Sequence, residues 1–287
     1  MSQATPFEFV RLVGDERRVG PSVEAVSKHW QGDRETFLFV SPHDDDVVIG
    51  GGLMILAALA NNVDVHVCIV TDGAAGYCEM SEKDTIADIR KQETFDSFKT
   101  MGLSEDKIHW LGFPDCQLTS YIGRRPAGED DKAVIQNHTG LQNAFTHIIR
   151  KVNPTQVFLP TNTDLHPDHR IVHSELMISL FHAAGGIWPE LGDKIANVPH
   201  VHEMAVYCDF PTAPKLRLTV SDEIFEQKLQ AILDYKSQKQ IQALVDNIRE
   251  SGPMEFFRPV EWQLYNPKTY YSMFDQPQNP ANKMNLR

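Results

Sequence analysis

The chain has 287 residues, of which 41% are hydrophobic and 23% are charged, a composition typical of a globular protein. Its net charge of −12 argues against non-specific binding to nucleic acid or to an anionic membrane surface. The four cysteines are dispersed without a Cys-x-x-Cys pair, and the first residues show no signal-peptide pattern. We therefore expect a cytoplasmic protein with no nucleic-acid or membrane partner.

Strand and helix patterns alternate along the chain. The predicted elements are a helix at 22–30, a strand at 36–41, a helix at 51–61, a strand at 63–71, a helix at 84–101, a strand at 108–111, a helix at 141–152, a strand at 155–159, a helix ending near 184, strands at 204–208 and 215–220, and helical segments over 221–250. This alternation predicts parallel strands joined by right-handed crossovers. The fold class is thus a three-layer, Rossmann-like α/β fold with a mostly parallel central sheet and helices on both faces.

A histidine and three consecutive acids follow the first of these strands, as His43-Asp44-Asp45-Asp46. In an open α/β sheet this turn lies at the carboxyl end of a strand, where ligands bind. Three adjacent carboxylates repel one another unless a cation or a shared proton relieves them. A metal site explains this stretch better than a solvated acidic turn does.

A second motif, His166-Pro-Asp-His169, comes directly after the strand at 155–159, and its proline suits the first position of a helix. Both motifs therefore lie on the same rim of the predicted sheet. A catalytic zinc takes three nitrogen or oxygen ligands and keeps one position for water. His43, Asp46 and His169 can supply that set, which leaves Asp45 free as a base. A structural zinc would favour four ligands with several cysteines, which are not offered here.

The chain resembles the PIG-L/LmbE family of zinc-dependent N-deacetylases, whose signature is Pro-His-Pro-Asp-Asp-Glu after the first strand and His-Pro-Asp-His after a later one. Further matches occur in the family's order: Thr71-Asp72-Gly73, Arg90-x-x-Glu93, Leu111-Gly-Phe-Pro-Asp115, Tyr235-Lys-Ser-Gln238 and Glu255-Phe-Phe-Arg258. The pattern is most like that of members acting on N-acetylglucosamine derivatives and diacetylchitobiose. The resemblance predicts a deacetylase domain over residues 36–275, with a packed N-terminal extension at 1–35 and a C-terminal tail at 276–287.

The resemblance also implies the chemistry, which is removal of an acetyl group from an N-acetylated amino sugar by zinc-activated water. It implies one Zn²⁺ per chain, with Fe²⁺ or another divalent ion as the alternative, and a homo-oligomer such as a trimer or hexamer.

The resemblance also implies a role for each site residue. The metal is held by His43, Asp46 and His169. Asp45 moves the proton of the attacking water to the leaving amine, His166 stabilises the oxyanion, and Asp168 holds the ring of His166. Sugar hydroxyls are bound by Arg90 and Asp115, and Arg258 braces the substrate site.

The sequence departs from the family signature at two positions. Asp44 stands where the family usually has proline, and Val47 stands where it has glutamate. The added carboxylate at Asp44 could tighten the cation or raise the pKa of Asp45. Neither change removes a predicted ligand.

Three other functions remain open. A phosphoesterase with two cations would need a second ligand set, for which His173 and Asp164 are the candidates. A nucleotide-binding protein could use Gly50-Gly51-Gly52, although these residues lack the G-x-G-x-x-G spacing. A non-catalytic sugar-binding module could keep the fold, but binding alone does not require Asp45. The 117–137 stretch and the residues before His200 are where we expect substrate choice to lie.

Overall fold

A mixed β-sheet of nine strands forms the centre of the structure, a computed structural model that describes residues 5–27 and 29–275. Together with two strands outside this sheet, the strands of the described residues are β1 (Phe7–Val13), β2 (Glu16–Gly20), β3 (Thr36–Ser41), β4 (Asp64–Thr71), β5 (Ile108–Phe113), β6 (Arg125–Pro126), β7 (His138–Thr139), β8 (Gln156–Pro160), β9 (His200–Met204), β10 (Leu216–Val220) and β11 (Met254–Val260). Their order in the sheet is β2-β1-β10-β11-β9-β8-β3-β4-β5, and β6 and β7 form a separate two-stranded sheet.

Helices cover both faces of this sheet, as the sequence predicts. They are α1 (Val23–Val26), α2 (Asp46–Ala60), α3 (Ile86–Thr100), α4 (Leu141–Val152), α5 (Pro167–Ala184), α6 (Asp222–Leu233), α7 (Ile241–Ser251) and α8 (Lys268–Asp275). One apolar cluster lies under α2, α6 and α7, and a second lies under α4 and α5. The three-layer α/β prediction is therefore confirmed.

The prediction of a mostly parallel sheet is only half correct. Strands β9, β8, β3, β4 and β5 pair in parallel, because each βα unit returns to the same edge. Strands β2, β1, β10 and β11 pair antiparallel, and β11 joins β9 antiparallel as well. The residues predicted as an N-terminal extension contribute β1 and β2 to this half. The division into domains at residues 35 and 275 stays a prediction, and the tail at 276–287 lies outside the described residues.

Helix α2 begins five residues before the predicted start, at Asp46, so the three glycines lie inside it rather than in a turn. They are needed for close approach. A Cβ atom on Gly50 would lie 2.9 Å from the carbonyl oxygen of Ala205, and one on Gly52 would lie 3.1 Å from Cγ of Lys228. Since glycine is unfavourable within a helix, its presence here reflects packing and not phosphate binding.

A buried ion pair meets the backbone of this glycine-rich part of α2. The Lys228 Nζ lies 2.7 Å from a Glu255 carboxylate oxygen and donates a hydrogen bond to the carbonyl oxygen of Ile49. The Glu255 carboxylate accepts hydrogen bonds from the backbone N–H groups of Leu53 and Met54, at 2.8 and 3.0 Å. Strand β11 and helix α6 thereby fix the position of α2.

Strand β9 begins four residues before the predicted strand at 204–208. The segment His200-Val-His-Glu-Met204 looks too polar for a sheet interior, yet its polar groups find partners there. His202 is buried and its Nε2 lies 3.1 Å from Oε1 of Gln156, while Glu203 pairs with Arg258.

In the described part of the chain, no helix is long and apolar enough to cross a membrane.

Glu255→Ala should lower the free energy of unfolding by about 3–5 kcal/mol, because it leaves the ammonium of Lys228 buried without a compensating charge. Urea denaturation followed by circular dichroism measures this loss. The matched control is Glu226→Ala, which removes the exposed partner of Arg249 and should leave the unfolding midpoint nearly unchanged. Equal effects of the two substitutions would contradict this account.

Candidate metal and catalytic site

Two loops bring the predicted metal ligands together at the carboxyl ends of β3 and β8. The β3 loop leads from Ser41 into α2, and its Asp46 is the first residue of that helix. The β8 loop leads into α5, with His166 at the N-cap and His169 in the first turn. Because β3 and β8 are adjacent parallel strands, their following loops share one rim of the sheet.

Three ligand atoms form a nearly equilateral triangle. Nδ1 of His43 lies 3.2 Å from Oδ2 of Asp46 and 3.2 Å from Nε2 of His169. Nε2 of His169 lies 3.1 Å from the same Asp46 oxygen. A divalent ion with bonds of about 2.0–2.1 Å in tetrahedral geometry separates its ligand atoms by roughly 3.3–3.4 Å. The three predicted ligands therefore already stand close to the spacing that a shared metal requires.

The polar atoms of this triangle also fit a cation. Oδ1 of Asp46 is buried and has no hydrogen-bond partner among the described residues. Burial lowers the pKa of His43, but Asp46 above all outweighs it and raises that pKa well above its usual value. For the acid Asp46 the signs are reversed: burial raises its pKa, but the positive charges of His169 and His43 outweigh burial and bring the pKa well below its usual value. These opposite shifts reflect the attraction between the Asp46 carboxylate and the two rings.

Other carboxylates surround the two ring ligands. Nε2 of His43 lies 3.2 Å from Oδ1 of Asp115 and 3.7 Å from Oδ2 of Asp168. Nδ1 of His169 lies 3.3 Å from Oδ2 of Asp164. Such carboxylates commonly orient metal-binding imidazoles and raise their basicity. Two further groups of side chains could hold a cation. One consists of His43, Asp115 and Asp168, and the other of the three histidines His43, His166 and His169.

The ring of His166 is oriented by the backbone. Its Nδ1 accepts a hydrogen bond from the N–H of Asp168, at 3.2 Å, so the ring proton resides on Nε2. Burial, together with the charges of His43 and His169, lowers the pKa of His166 and keeps the ring neutral. The Asp168 carboxylate instead accepts the backbone N–H of Cys116. The sequence predicts a carboxylate contact to this ring, whereas the structure provides a backbone contact.

Asp45 stands beside the triangle without joining it. Its carboxylate accepts a hydrogen bond from the side-chain amide of Gln238, and Nη2 of Arg90 lies 3.6 Å from the same oxygen. Asp45 is nearly buried and lines the same cavity as His43 and His166. It is therefore a free carboxylate, held in place, at the edge of the ligand set.

The two departures from the family signature have different environments. Asp44 turns away from the triangle and forms a two-point ion pair with Arg90, with distances of 2.9 and 2.7 Å. Burial raises the pKa of Asp44 to about 6 despite the opposing effect of Arg90. Val47 is fully buried in the apolar core under α2. The charge of Asp44 is thus offset by Arg90 and does not reach the metal ligands.

The predicted substrate residues do not stay together. Arg90 and Asp115 line the cavity at the triangle. Arg258 lies elsewhere, with its guanidinium on Glu203, whose other oxygen is 2.9 Å from Nε2 of His173. This position follows from the register of β11 with β9, which places Arg258 directly opposite Glu203.

The cavity at the triangle has a volume of about 220 Å³ and a polar lining. Its remaining lining residues are Ala75, Gly76, Cys78, Cys116, Tyr207, Gln238 and Gln240, and thus not the 117–137 stretch in which we expected substrate choice to lie. A second cavity of about 140 Å³ opens at the amino ends of β8 and β9. We take the first cavity as the candidate site, because both groups of described residues that could hold a metal ion include His43, which lines it.

Three residues contact the site although no role is predicted for them from the sequence. Tyr207 stacks on His169 with ring centroids 5.3 Å apart, and Asp164 also accepts the backbone N–H of Tyr207. Gln238 lies in a recognised motif, but its contact with Asp45 depends on the packing of α6 and α7. Tyr235 donates a hydrogen bond to the carbonyl oxygen of Asp44. The order of the motifs is the signal that could have identified Gln238 and Tyr235, whereas Tyr207 has none.

Comparison with known proteins agrees with this geometry. The sequence model of PIG-L, described as GlcNAc-PI de-N-acetylase, matches residues 38–179. Diacetylchitobiose deacetylase of Thermococcus kodakarensis is 29% identical over 212 residues, which cover 72% of this chain and 71% of the relative.

Solved structures share the fold. N,N'-diacetylchitobiose deacetylase from Pyrococcus horikoshii superposes with a TM-score of 0.62 at 24% identity, covering 83% of this chain and 86% of that one. GalB, the 4-carboxy-2-hydroxymuconate hydratase from Pseudomonas putida, gives a TM-score of 0.60 at 17% identity, covering 81% and 98%. The fold is thus shared with these solved proteins. By sequence, the chain is similar to the PIG-L/LmbE-like N-deacetylases.

His169→Ala should abolish retention of a divalent ion, because it removes one corner of the ligand triangle. The matched control is His173→Ala, one turn later on α5, where the ring contacts Glu203 instead. Metal content per chain after reconstitution and dialysis, read by mass spectrometry, distinguishes the two. Loss of metal from the His173 variant, with retention in the His169 variant, would overturn the ligand assignment.

Proposed function

We propose that this protein is a metal-dependent amide hydrolase that removes the acetyl group from an N-acetylated amino sugar of the N-acetylglucosamine type. The observation that supports this most is the His43, Asp46 and His169 triangle with the free carboxylate of Asp45 in the same cavity. A binding module has no need of a free carboxylate beside a metal site. The deacetylase relatives agree with this choice.

The metal is proposed to be Zn²⁺, one per chain, held by His43, Asp46 and His169, with Fe²⁺ as the alternative. Two imidazole nitrogens and one carboxylate oxygen form a donor set that catalytic zinc uses. When bound, such an ion lowers the pKa of a water molecule and polarises a carbonyl group. All other steps are assigned to side chains of the protein.

Asp45 is proposed to move the proton. Its carboxylate accepts the proton of the attacking water and later gives it to the nitrogen of the leaving amine. Gln238 and Arg90 hold the carboxylate in place. This contact with Gln238 fixes the rotamer, so that the carboxylate does not need to reorient during the reaction.

His166 is proposed to donate a hydrogen bond to the carbonyl oxygen as negative charge develops on it. The proton on Nε2 is available because Nδ1 is occupied by the backbone N–H of Asp168. Asp168 and Asp115 act through His43, by positioning its ring. Donors of this kind contribute about 3–4 kcal/mol to transition-state stabilisation in other enzymes.

The substrate is proposed to be a small molecule or glycan whose hydroxyl groups contact Arg90 and Asp115. The remaining polar lining, including Gln238 and Gln240, also suits hydroxyl groups. Arg258 is proposed to support the site indirectly, because its guanidinium is paired with Glu203. A cytoplasmic location, a trimer or hexamer, and the domain limits at residues 35 and 275 complete the proposal.

The rival functions lose support from specific contacts. A two-metal phosphoesterase loses its candidate His173, which contacts Glu203. The remaining group of His43, Asp115 and Asp168 shares His43 with the triangle and so offers no independent second ligand set. A nucleotide site at Gly50–Gly52 conflicts with their packing inside α2. A hydratase on this fold exists in GalB, and the activity assay separates that chemistry from amide hydrolysis.

The decisive assay is a screen of N-acetylated amino sugars with protein reconstituted with Zn²⁺ or Fe²⁺. The expected result is release of acetate and free amine in equal amounts, abolished by chelation and restored by metal. Turnover of a phosphoester or hydration of a double bond, without amide hydrolysis, would contradict the proposal.

Asp45→Asn should retain the metal but lower kcat by roughly 10²–10⁴-fold, because the proton-transfer group is lost. Metal content and steady-state rates on the best substrate measure both effects. The control is Asp72→Asn, whose carboxylate accepts the backbone N–H groups of Ala74 and Asp115 instead and should cost far less. A rate near that of the unmodified protein for Asp45→Asn would refute the base assignment.

His166→Ala should lower kcat more than it raises KM, since the charge on the carbonyl oxygen develops only in the transition state. The metal content should remain unchanged. The opposite pattern, a raised KM with kcat preserved, would identify His166 as a substrate ligand, and loss of metal would identify it as a metal ligand.

A further inference from the structure

The second cavity, at the amino ends of β8 and β9, has a lining unlike that of the catalytic site. We call it the basic cavity, and its polar lining includes Arg11, His29, Gln156, His200, His202, Lys215 and the carboxylate of Glu261, which pairs with Lys215. Its volume is about 140 Å³. It lies at the opposite end of the parallel strands from His43, so it cannot be part of the proposed deacetylase site.

The register of the strands places the side chains of Arg11 and His202 on the same face of the sheet, where both line the basic cavity. Arg11 pairs with Leu216, and Leu216 pairs with Phe257, so all three share one face of the sheet. Pro259, two residues after Phe257, has the same facing and pairs with His202. The positions of these side chains are therefore determined by backbone pairing.

The charge of Arg11 is uncompensated. Burial lowers its pKa, and Arg18, another cation, lowers it further. Among the described residues, no hydrogen bond or ion pair involves its guanidinium. Lys215, by contrast, is 3.0 Å from a carboxylate oxygen of Glu261. The cavity therefore holds a half-buried positive charge that lacks a counter-charge, which is costly unless an anion enters.

His202 offers an unused acceptor. The Gln156 amide nitrogen donates to Glu35, so its Oε1 must accept the Nε2 proton of His202. The Nδ1 of His202 then carries a lone pair. The residue is only 3% exposed, and its Nδ1 has no partner among the described residues. A ligand that fills this position has to bring a proton donor as well as negative charge.

Two further imidazoles line the mouth of the cavity. His29 and His200 stack with ring centroids 3.8 Å apart and planes 9° apart. Burial, His29 and Arg11 lower the pKa of His200 to about 4, which keeps its ring neutral. Neither ring hydrogen-bonds to a described residue. Because an imidazole ring carries at least one N–H whether it is neutral or protonated, each ring has a donor available to a ligand.

We propose that the basic cavity binds a phosphate group, with Arg11 as the counter-charge, His29 and His200 as hydrogen-bond donors, and His202 Nδ1 as acceptor of the phosphate hydroxyl proton. Phosphate at neutral pH carries negative charge and at least one P–OH donor. Sulfate carries the same shape and charge without that donor. The acceptor on His202 thus selects between these two oxyanions.

Titration of the metal-loaded protein with inorganic phosphate, at constant ionic strength, tests the proposal through the NMR signals of the histidine rings. The signals of His29 and His200 should shift saturably with phosphate, and sulfate should bind roughly tenfold or more weakly. A parallel titration with methyl phosphate tests the role of the P–OH group, because the methyl phosphate dianion that predominates above neutral pH lacks this donor. Binding as weak as that of sulfate indicates the free ion as the ligand, and binding equal to that of inorganic phosphate would contradict the role given to His202 Nδ1.

Arg11→Met should weaken phosphate binding by roughly tenfold or more, because a charge-assisted hydrogen bond is lost. The control is Arg18→Met, which is directly opposite Arg11 on β2 and pairs with Glu16. It should leave the affinity within about twofold. His29→Gln, at an exposed ring, serves as a second test if the Arg11 variant folds poorly. Shifts confined to His43, His166 and His169, sulfate binding as tight as phosphate, or unchanged affinity in both cavity variants would overturn the proposal.

Discussion

The Asp46 carboxylate oxygen Oδ2 organises the site, because it lies within 3.2 Å of ring nitrogens from both His43 and His169. It also accepts the backbone N–H of His43, at 2.8 Å. Burying any one of these groups alone would be costly, whereas together they compensate one another. The β3 loop and the start of α5 are therefore held in a single relative position. A cation held by these three groups would use a geometry that the protein already maintains.

Both halves of the sheet help to hold Asp46 against His43 and His169. The parallel half brings the loops after β3 and β8 to one rim. The antiparallel half supplies Glu255 from β11, which with Lys228 fixes the helix whose first residue is Asp46. The basic cavity lies where the two halves meet, lined by Arg11 and Lys215 on the antiparallel side and by Gln156, His200 and His202 on the parallel side. It is separate from the cavity at the His43 triangle.

The sequence could predict that the two motifs meet, because strand order determines this, whereas their role as metal ligands stays a prediction. His43, Asp46 and His169 follow adjacent parallel strands, and such strand ends must meet at one edge. The layers of the fold followed from the alternation of strands and helices. The antiparallel half was not predicted. The β1–β10 and β10–β11 pairings join segments that are distant in sequence, and the local β1–β2 hairpin around Gly14-Asp15 was not identified from its strand pattern. Likewise, the pairing of Asp44 with Arg90 and of Arg258 with Glu203 is decided by side-chain packing, which motif order does not reveal.

Anomalous diffraction from crystals of the zinc-reconstituted protein would locate the metal itself. We expect one strong peak per chain at the zinc edge, bonded to Nδ1 of His43, Oδ2 of Asp46 and Nε2 of His169, with the Asp45 carboxylate outside bonding distance. A peak coordinated by other residues, or Asp45 found as a ligand in place of Asp46, would contradict this expectation.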